Sequence, residues 1–257
     1  MGKRAEVVAG KRVKVRSWTT IAAALILSAG ILIGLQLGGA QIGGGLAAKA
    51  GNAITVTGSA KTSAVADNAV WVLNSNESAS SAAAAVAKVG SDATSLTKYL
   101  VDGGVTNDQI TLGAVATFAN HKYSNGNDTG QILSYAGSQS ITVRSNDVNL
   151  INKLSNGIGS LLGTGVNINN NGPQYYVSTL NSLRPQLLAA AMKDAQVRAN
   201  AITSAVGGKV GSVLSVSSGP VQVTTPDSTD TSSSGMYDTT TINKTVTVTV
   251  SVAFKSK

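Results

Sequence analysis

Lys244–Phe254 reads KTVTVTVSVAF, with valines at 246, 248, 250 and 252 separated by Thr and Ser. Strict alternation puts every apolar side chain on one face of an extended chain, because successive strand residues point to opposite sides. A strand with one oily face needs a second layer to cover it. The stretch Leu183–Val206 supplies a candidate cover. Its Leu188, Ala191, Ala195, Ala199, Ile202 and Val206 recur at helical spacing, Pro185 suits a first turn, and Gly207-Gly208 stop the helix. The small residues on that face would let the helix lie close on a sheet.

Upstream the same grammar repeats. ITVTGSA, with Ile54, Val56 and Gly58 alternating with polar residues, and AVWVLNSNE (69–77), with Val70, Val72 and Asn74 on one face, read as strands. From Ser80 to Val101 the period changes: Val86, Val89, Ala93, Leu96 and Leu100 mark a helix that Asp102-Gly103-Gly104 ends. ITLGAVATF (110–118) and SYAGSQSITVRS (134–145) read as a hairpin whose long loop is the Gly/Asn/Asp-rich stretch 119–130. Asn146-Asp147 can cap a shorter helix running to Gly163. VNINNNGPQYYVS (166–178) reads as a strand broken at Gly172-Pro173, and VGSVLSVSS (210–218) as a further strand. The polar segment TTPDSTDTSSSGMYDTTT before Lys244 is expected to hold no structure.

The order ββαββαβαββ predicts an α+β domain: a largely antiparallel sheet with two long helices packed on one face. It contains two βαββ-like halves, residues 54–145 and 166–254, each carrying a long helix closed by Gly-Gly.

The 257 residues carry a formal charge of +8, but the charge is not spread evenly. Residues 1–50 hold seven Lys/Arg against one Glu, leaving 13 basic and 11 acidic residues for the rest. Nucleic-acid binding by the main domain is therefore disfavoured. With no Cys, disulfides, thiolate metal sites and Cys nucleophiles are excluded.

Trp18–Leu37, WTTIAAALILSAGILIGLQL, is uncharged, and twenty residues of helix span about 30 Å, the thickness of a bilayer core. Basic residues precede it, so the positive-inside rule keeps 1–17 in the cytoplasm and places the C-terminal domain outside. The expected organisation is a basic segment 1–17, a transmembrane helix 18–37, a Gly-rich tether 38–52 and an extracytoplasmic domain 53–257. The alternative is a signal peptide cleaved near Ala50, after Ala48-Lys49-Ala50, which would release the same domain on the same side. Gly30 and Gly34, four apart, form the Gly-xxx-Gly face that lets two membrane helices approach closely.

Signals for chemistry are weak. His121 is the single histidine and sits in a Gly/Asn-rich stretch with only Asp128 nearby. Ser95-Leu96-Thr97-Lys98 matches Ser-x-x-Lys without the companion motifs such enzymes need. Gly157–Gly163 follows no strand and is one residue too long for a dinucleotide loop. Asp194 and Arg198 form an i, i+4 pair on a solvated face. Accordingly no catalytic, cofactor-binding or metal-ligating residue is assigned, and no cofactor is expected.

Taken together, ITVTGSA, YLVDGGVTNDQIT, SYAGSQSITVRSNDV, AAAMKDAQVRANAITSAVGGKVGSVLSV and VTVTVSVAF resemble the SIMPL-domain family of bacterial envelope proteins. The resemblance spans nearly all of 54–254, and the helix AMKDAQVRANAI followed by Gly-Gly-Lys-Val-Gly is its most specific part. It implies an α/β fold, a periplasmic or cell-surface location, ring-like assemblies in some members, a link to oxidative-stress protection in others, and no established enzymatic activity. The very polar 223–241 segment and the scarcity of Glu depart from the pattern.

The functional expectation is a membrane-anchored, non-catalytic protein of the cell envelope that acts through self-association or binding. An extracytoplasmic ligand sensor and an envelope hydrolase are the alternatives. The residues expected to carry self-association are Gly30 and Gly34 in the membrane, with Tyr175, Tyr176, Val248 and Val250 outside, the last two by edge-to-edge pairing if their strand lies at a sheet edge.

Overall fold

The computed structural model describes residues 53–257. The basic segment, the expected membrane helix with Gly30 and Gly34, and the tether lie outside the described residues. Among the described residues no helix is long and apolar enough to cross a membrane.

The strands are β1 (Ala53–Val65), β2 (Asn68–Ala79), β3 (Ile110–Leu112), β4 (Ala116–Ser124), β5 (Asn127–Ser145), β6 (Ile168–Asn170), β7 (Gln174–Tyr176), β8 (Val210–Ser218), β9 (Gln222–Thr224), β10 (Met236–Tyr237) and β11 (Asn243–Ser256). The helices are α1 (Ala82–Asp102), α2 (Val148–Gly157), the single turn α3 (Gly159–Leu162) and α4 (Leu180–Ala205). The mixed α+β class is as expected. The single sheet is not: the strands form two sheets, antiparallel except for the short β9–β10 pair.

One sheet holds β1, β8, β9, β10 and β11, and the other β2 to β7. The halves read from the sequence therefore exchange a strand. β1 pairs with β11 in unbroken register from Ala53↔Lys255 to Val65↔Asn243, so the first strand of the N-terminal half completes the C-terminal sheet. Two strands each with period-2 patterning over a dozen residues make a longer ladder together than β1 could make with the interrupted strands of its own half.

α4 covers the β1–β11 sheet. Val246, Val248, Val250 and Val252 are all buried beneath it, as their alternation requires. Its approach is very close: a Cβ on Gly58 would collide with the Ala191 carbonyl and with Ala195, so only a hydrogen fits there. The buried stripe is Leu187, Ala191, Ala195, Ala199 and Thr203, stepping by four. Ile202 and Val206, expected on that face, are 51% and 82% exposed. A run of i+4 steps overshoots the 3.6-residue turn, so the stripe drifts round the helix and the last turn presents Thr203, whose hydroxyl bonds back to the Ala199 carbonyl. The helix also begins before Leu183, which places Pro185 in the second turn rather than the first.

α1 and α2 cover the second sheet. Ser81 caps α1 by accepting from the Ala84 N–H, and Asp147 caps α2 by accepting from the Leu150 N–H. The largest core lies here, with Trp71, Leu73, Leu96, Leu100, Ile141, Val143 and Ile151 sealed from solvent, each worth about 1.5–3 kcal/mol of burial. The buried face of β2 is Ala69, Trp71, Leu73 and Ser75, while Val72 on the other face is exposed. Trp71 donates its indole N–H to Asn170 Oδ1 at 2.9 Å, tying β6 to the core.

Two polar segments are more ordered than their composition suggests. The expected 119–130 loop is mostly strand: β4 and β5 continue to a two-residue turn, Asn125-Gly126, with φ of 48° and 82°. Positive φ at both central residues gives a type I′ turn, whose twist matches the flanking strands. The segment before Lys244 is held by side chains. Gln222 donates to the Ser232 carbonyl at 2.7 Å, and the fully buried Lys244 Nζ donates to the carbonyl and, at 3.0 Å, the carboxylate of Asp238.

Candidate interaction surface

β5 is nineteen residues long, but β2 pairs with it only from Ser145 back to Tyr135. Beyond that point β4 and the start of β5 continue as a ribbon of two strands with no third among the described residues, from Asn120↔Ser134 to Ser124↔Asn127. A two-stranded ribbon is marginally stable alone, and a soluble one is usually polar. This arm instead exposes Tyr123, Ile132 and Leu133 (61%), and Phe118 (58%) is exposed at its root, where β2 still flanks β5. Its polar groups brace it internally: Asn120 Nδ2 donates to Ser134 Oγ at 2.9 Å and Thr129 Oγ1 to the Lys122 carbonyl at 2.8 Å. His121 Nδ1 lies 3.0 Å from Asp128 Oδ2 across the strands without a hydrogen bond.

At the root of the arm an apolar groove of about 620 Å³ runs between α1 and the segment Leu112–Val115. Val86, Gly90, Val101, Leu112 and Val115 line it, and Val86, Val101, Leu112 and Val115 are all more than a third exposed. Lys98 and Asp102 close one rim as an i, i+4 pair at 2.8 Å. That pairing also places the lysine of Ser95-x-x-Lys98 in solvent, bound to a carboxylate. The groove and the arm lie along one edge of the second sheet, with Lys98 and Asp102 at the groove and Lys122 and Asp128 on the arm. Exposed apolar side chains gathered along one sheet edge make this the candidate contact site.

The acidic residues have structural work. Asp67 accepts from the backbone and side chain of Ser178, and these bonds hold its carboxyl below the ordinary range. Asp194 accepts from the Ser59 N–H and from Arg198 Nε, each at 2.8 Å, and is likewise lowered, chiefly by the Ser59 bond. For Asp238 burial pushes the pKa up, but hydrogen bonds from Lys244, Thr241 and Thr240 together outweigh it and the carboxyl stays ionised. Asp92, buried on α1, accepts from Ser75 Oγ at 3.1 Å. Among the described residues no three His, Asp or Glu side chains gather as metal ligands would.

The four residues chosen outside the membrane segment fall elsewhere. Val248 and Val250 are buried under α4, in a strand flanked by β1 on one side and by β8 and β9 on the other. β11 is thus central, its backbone hydrogen-bonded along both edges while its valine face packs on α4, and the expectation that it could pair between subunits as an edge is corrected. Tyr175 is also core, 3% exposed, with its hydroxyl 3.2 Å from Asn152 Oδ1; burial raises its pKa. Tyr176 is half-buried, its ring 5.9 Å from that of Tyr237, and its hydroxyl donates to Gln174. The structure does not bring these four residues together. The arm residues were missed, although Asn125-Gly126 between alternating strands was the available signal.

No curated protein matches the chain. A protein-family model does match, over residues 54–254, and its description is "SIMPL: Protein of unknown function (DUF541)". The match covers both sheets and their helices, including the arm and the groove, and the chain belongs to the SIMPL family.

Proposed function

We propose that this is a membrane-anchored protein whose SIMPL domain lies outside the cytoplasm and acts by self-association or binding rather than by catalysis. The observation that carries the reading is the apolar arm, with Tyr123, Ile132 and Leu133 exposed on a ribbon that has no core of its own and Phe118 exposed at its root. Burial of such side chains between molecules is the ordinary source of association energy, at about 25 cal/mol per Å² of apolar surface. The uncharged stretch 18–37 and its basic flank support anchoring in a membrane, which confines the domains to two dimensions and raises their effective concentration. Protection of the envelope under stress is the physiological setting that fits the family resemblance.

The test has two arms. A tag at Lys257 should be accessible to an impermeant reagent in intact cells, and the detergent-extracted full-length protein should have the mass of a discrete oligomer. A protected tag would remove the location, and a monomer at all concentrations would remove the association.

A second reading, binding of a small apolar ligand, is favoured by the groove volume of about 620 Å³, within the range of ligand sites. It predicts uptake of a hydrophobic fluorophore that Val101→Arg abolishes.

A further inference from the structure

We propose that the cleft between α2, the β6–β7 turn and the segment before β11 is a binding site for a neutral saccharide. The site is separate from the arm and the apolar groove, and it stands whether or not the protein associates.

Three walls build it. α2 turns Ile151 and Leu154 into the core, so Asn152, Ser155 and Asn156, at i, i+3 and i+4, share the flank beside them and line the cleft. The second wall is a bulge. β6 and β7 both pair with β2, but between Leu73↔Asn170 and Val70↔Gln174 the outer chain has one residue more than β2. Gly172, at a φ of 79°, takes up the extra length, and Asn170, Asn171 and Pro173 come to the cleft. The third wall carries Thr240 and Asn243. The buried Lys244–Asp238 pair pins this segment, and the Thr239 carbonyl accepts from the Tyr175 N–H at 2.8 Å, tying it to β7. The cleft has two lobes of about 350 Å³ each, within the size range of ligand sites, and they share Asn152, Tyr175 and Thr240.

The lining selects the ligand. No charged side chain lines either lobe, and Asp238 beneath is taken by Lys244, so neither an anion nor a cation finds a counter-charge. The apolar residues are few, Pro173, Pro226 and Ile242 beside the buried Tyr175, which leaves a greasy ligand little to bury against. What the walls offer is amides and hydroxyls that both donate and accept, the same dual character as the hydroxyls of a sugar.

Two of these amides are fixed before any ligand arrives. Asn170 Oδ1 accepts from the Trp71 indole N–H and from the Gly172 N–H, each at 2.9 Å. That settles the orientation of the amide and leaves its Nδ2 without a partner among the described residues. Asn152 Oδ1 likewise accepts from the Tyr175 hydroxyl at 3.2 Å, and its Nδ2 is left in the same way. Donors held by the core itself lose little freedom on binding, which is what a hydrogen-bonding site needs. A peptide could use the same donors, but its side chains would meet no apolar pocket. The C–H face of a sugar ring needs only the prolines, and two lobes with a common wall suit two linked rings.

The test uses the full-length protein in a polyoxyethylene detergent, which carries no sugar of its own. Maltotetraose, cellotetraose and chitotetraose are titrated in turn and followed by saturation-transfer NMR and calorimetry, with end-capped tetra-alanine as the neutral peptide comparison. At least one saccharide is expected to bind with a Kd of about 1 mM or tighter. Asn152→Asp and Asn170→Asp keep the acceptor oxygens that Tyr175, Trp71 and Gly172 use but replace the free donor by a carboxylate oxygen, so each should weaken binding at least about tenfold. Asn156→Phe, at an exposed position, should block the cleft to the same extent without touching a fixed amide. Asn200→Asp, exposed on α4 and outside the lining, should leave binding unchanged. Absence of binding by all three saccharides at about 10 mM overturns the assignment. So does binding that Asn152→Asp, Asn170→Asp and Asn156→Phe all leave unchanged, or tighter binding of the peptide.

Discussion

Replacing Asp238 by Ala tests how the polar segment before β11 is held. Lys244 Nζ is completely buried and makes its hydrogen bonds to the Asp238 carbonyl at 2.7 Å and carboxylate at 3.0 Å. Truncating the aspartate keeps the carbonyl contact but leaves an ammonium group without its counter-charge in a site sealed from water. Removing one partner of a buried pair costs about 3–5 kcal/mol. Asp238 keeps slight solvent access, its side chain being 16% exposed, which argues for the low end, about 3 kcal/mol. Thr240 and Thr241 also lose the carboxylate they bond, consistent with a cost no smaller than that. For a domain of this size about 3 kcal/mol lowers Tm by about 6–12 °C. Urea unfolding should show a reduced midpoint with an unchanged slope, since the core is untouched. The double variant Asp238→Ala/Lys244→Met, which removes both charges, should recover at least half of the loss. A single variant within about 0.5 kcal/mol of the parent would refute the pair as an anchor, as would a double variant less stable than the single.

Other outcomes follow from the same geometry. Gly58→Val should loosen the β1–α4 contact and cost at least about 3 kcal/mol, because the new side chain meets helix backbone rather than a movable side chain; an unchanged melting curve would show that the helix stands further off. Trp71→Ala should cost about 3–5 kcal/mol and free Asn170, read by circular dichroism melting. Asp67, Asp194 and Asp238 all have folded pKa values below the ordinary 3.8, so their bonds stabilise the fold fully above that value and less as pH falls through the folded values. Acid titration should therefore show stability falling below about pH 4, and Asp67→Asn should flatten that fall. A profile equally steep in the variant would remove Asp67 from the account.

The fold class was legible where pattern and layer agree. The valines of β11, the helix of small residues over them, and the capping Ser81 and Asp147 could be read because period and burial coincide. The exchange of β1 into the C-terminal sheet could not, since alternation fixes which face of a strand is buried and not which strand lies beside it. Ile202 and Val206 show the limit of a helical stripe drawn by apolarity alone: the smaller Ala199 and Thr203 won the buried face because the backbone approaches so closely. The arm was hidden for a related reason. Its residues look like loop by composition, and the type I′ turn that makes them a ribbon rests on only Asn125 and Gly126. Tyr175 carried no sequence mark separating a core aromatic from a surface one.

Light scattering of the full-length protein in mild detergent, across a hundredfold range of concentration, bears most directly on association as the mode of action. A protein mass at a fixed multiple of the 25.8 kDa chain, falling toward one chain on dilution of Phe118→Lys but not of the parent, is the expected result. A mass of one chain throughout the range for the parent would contradict it.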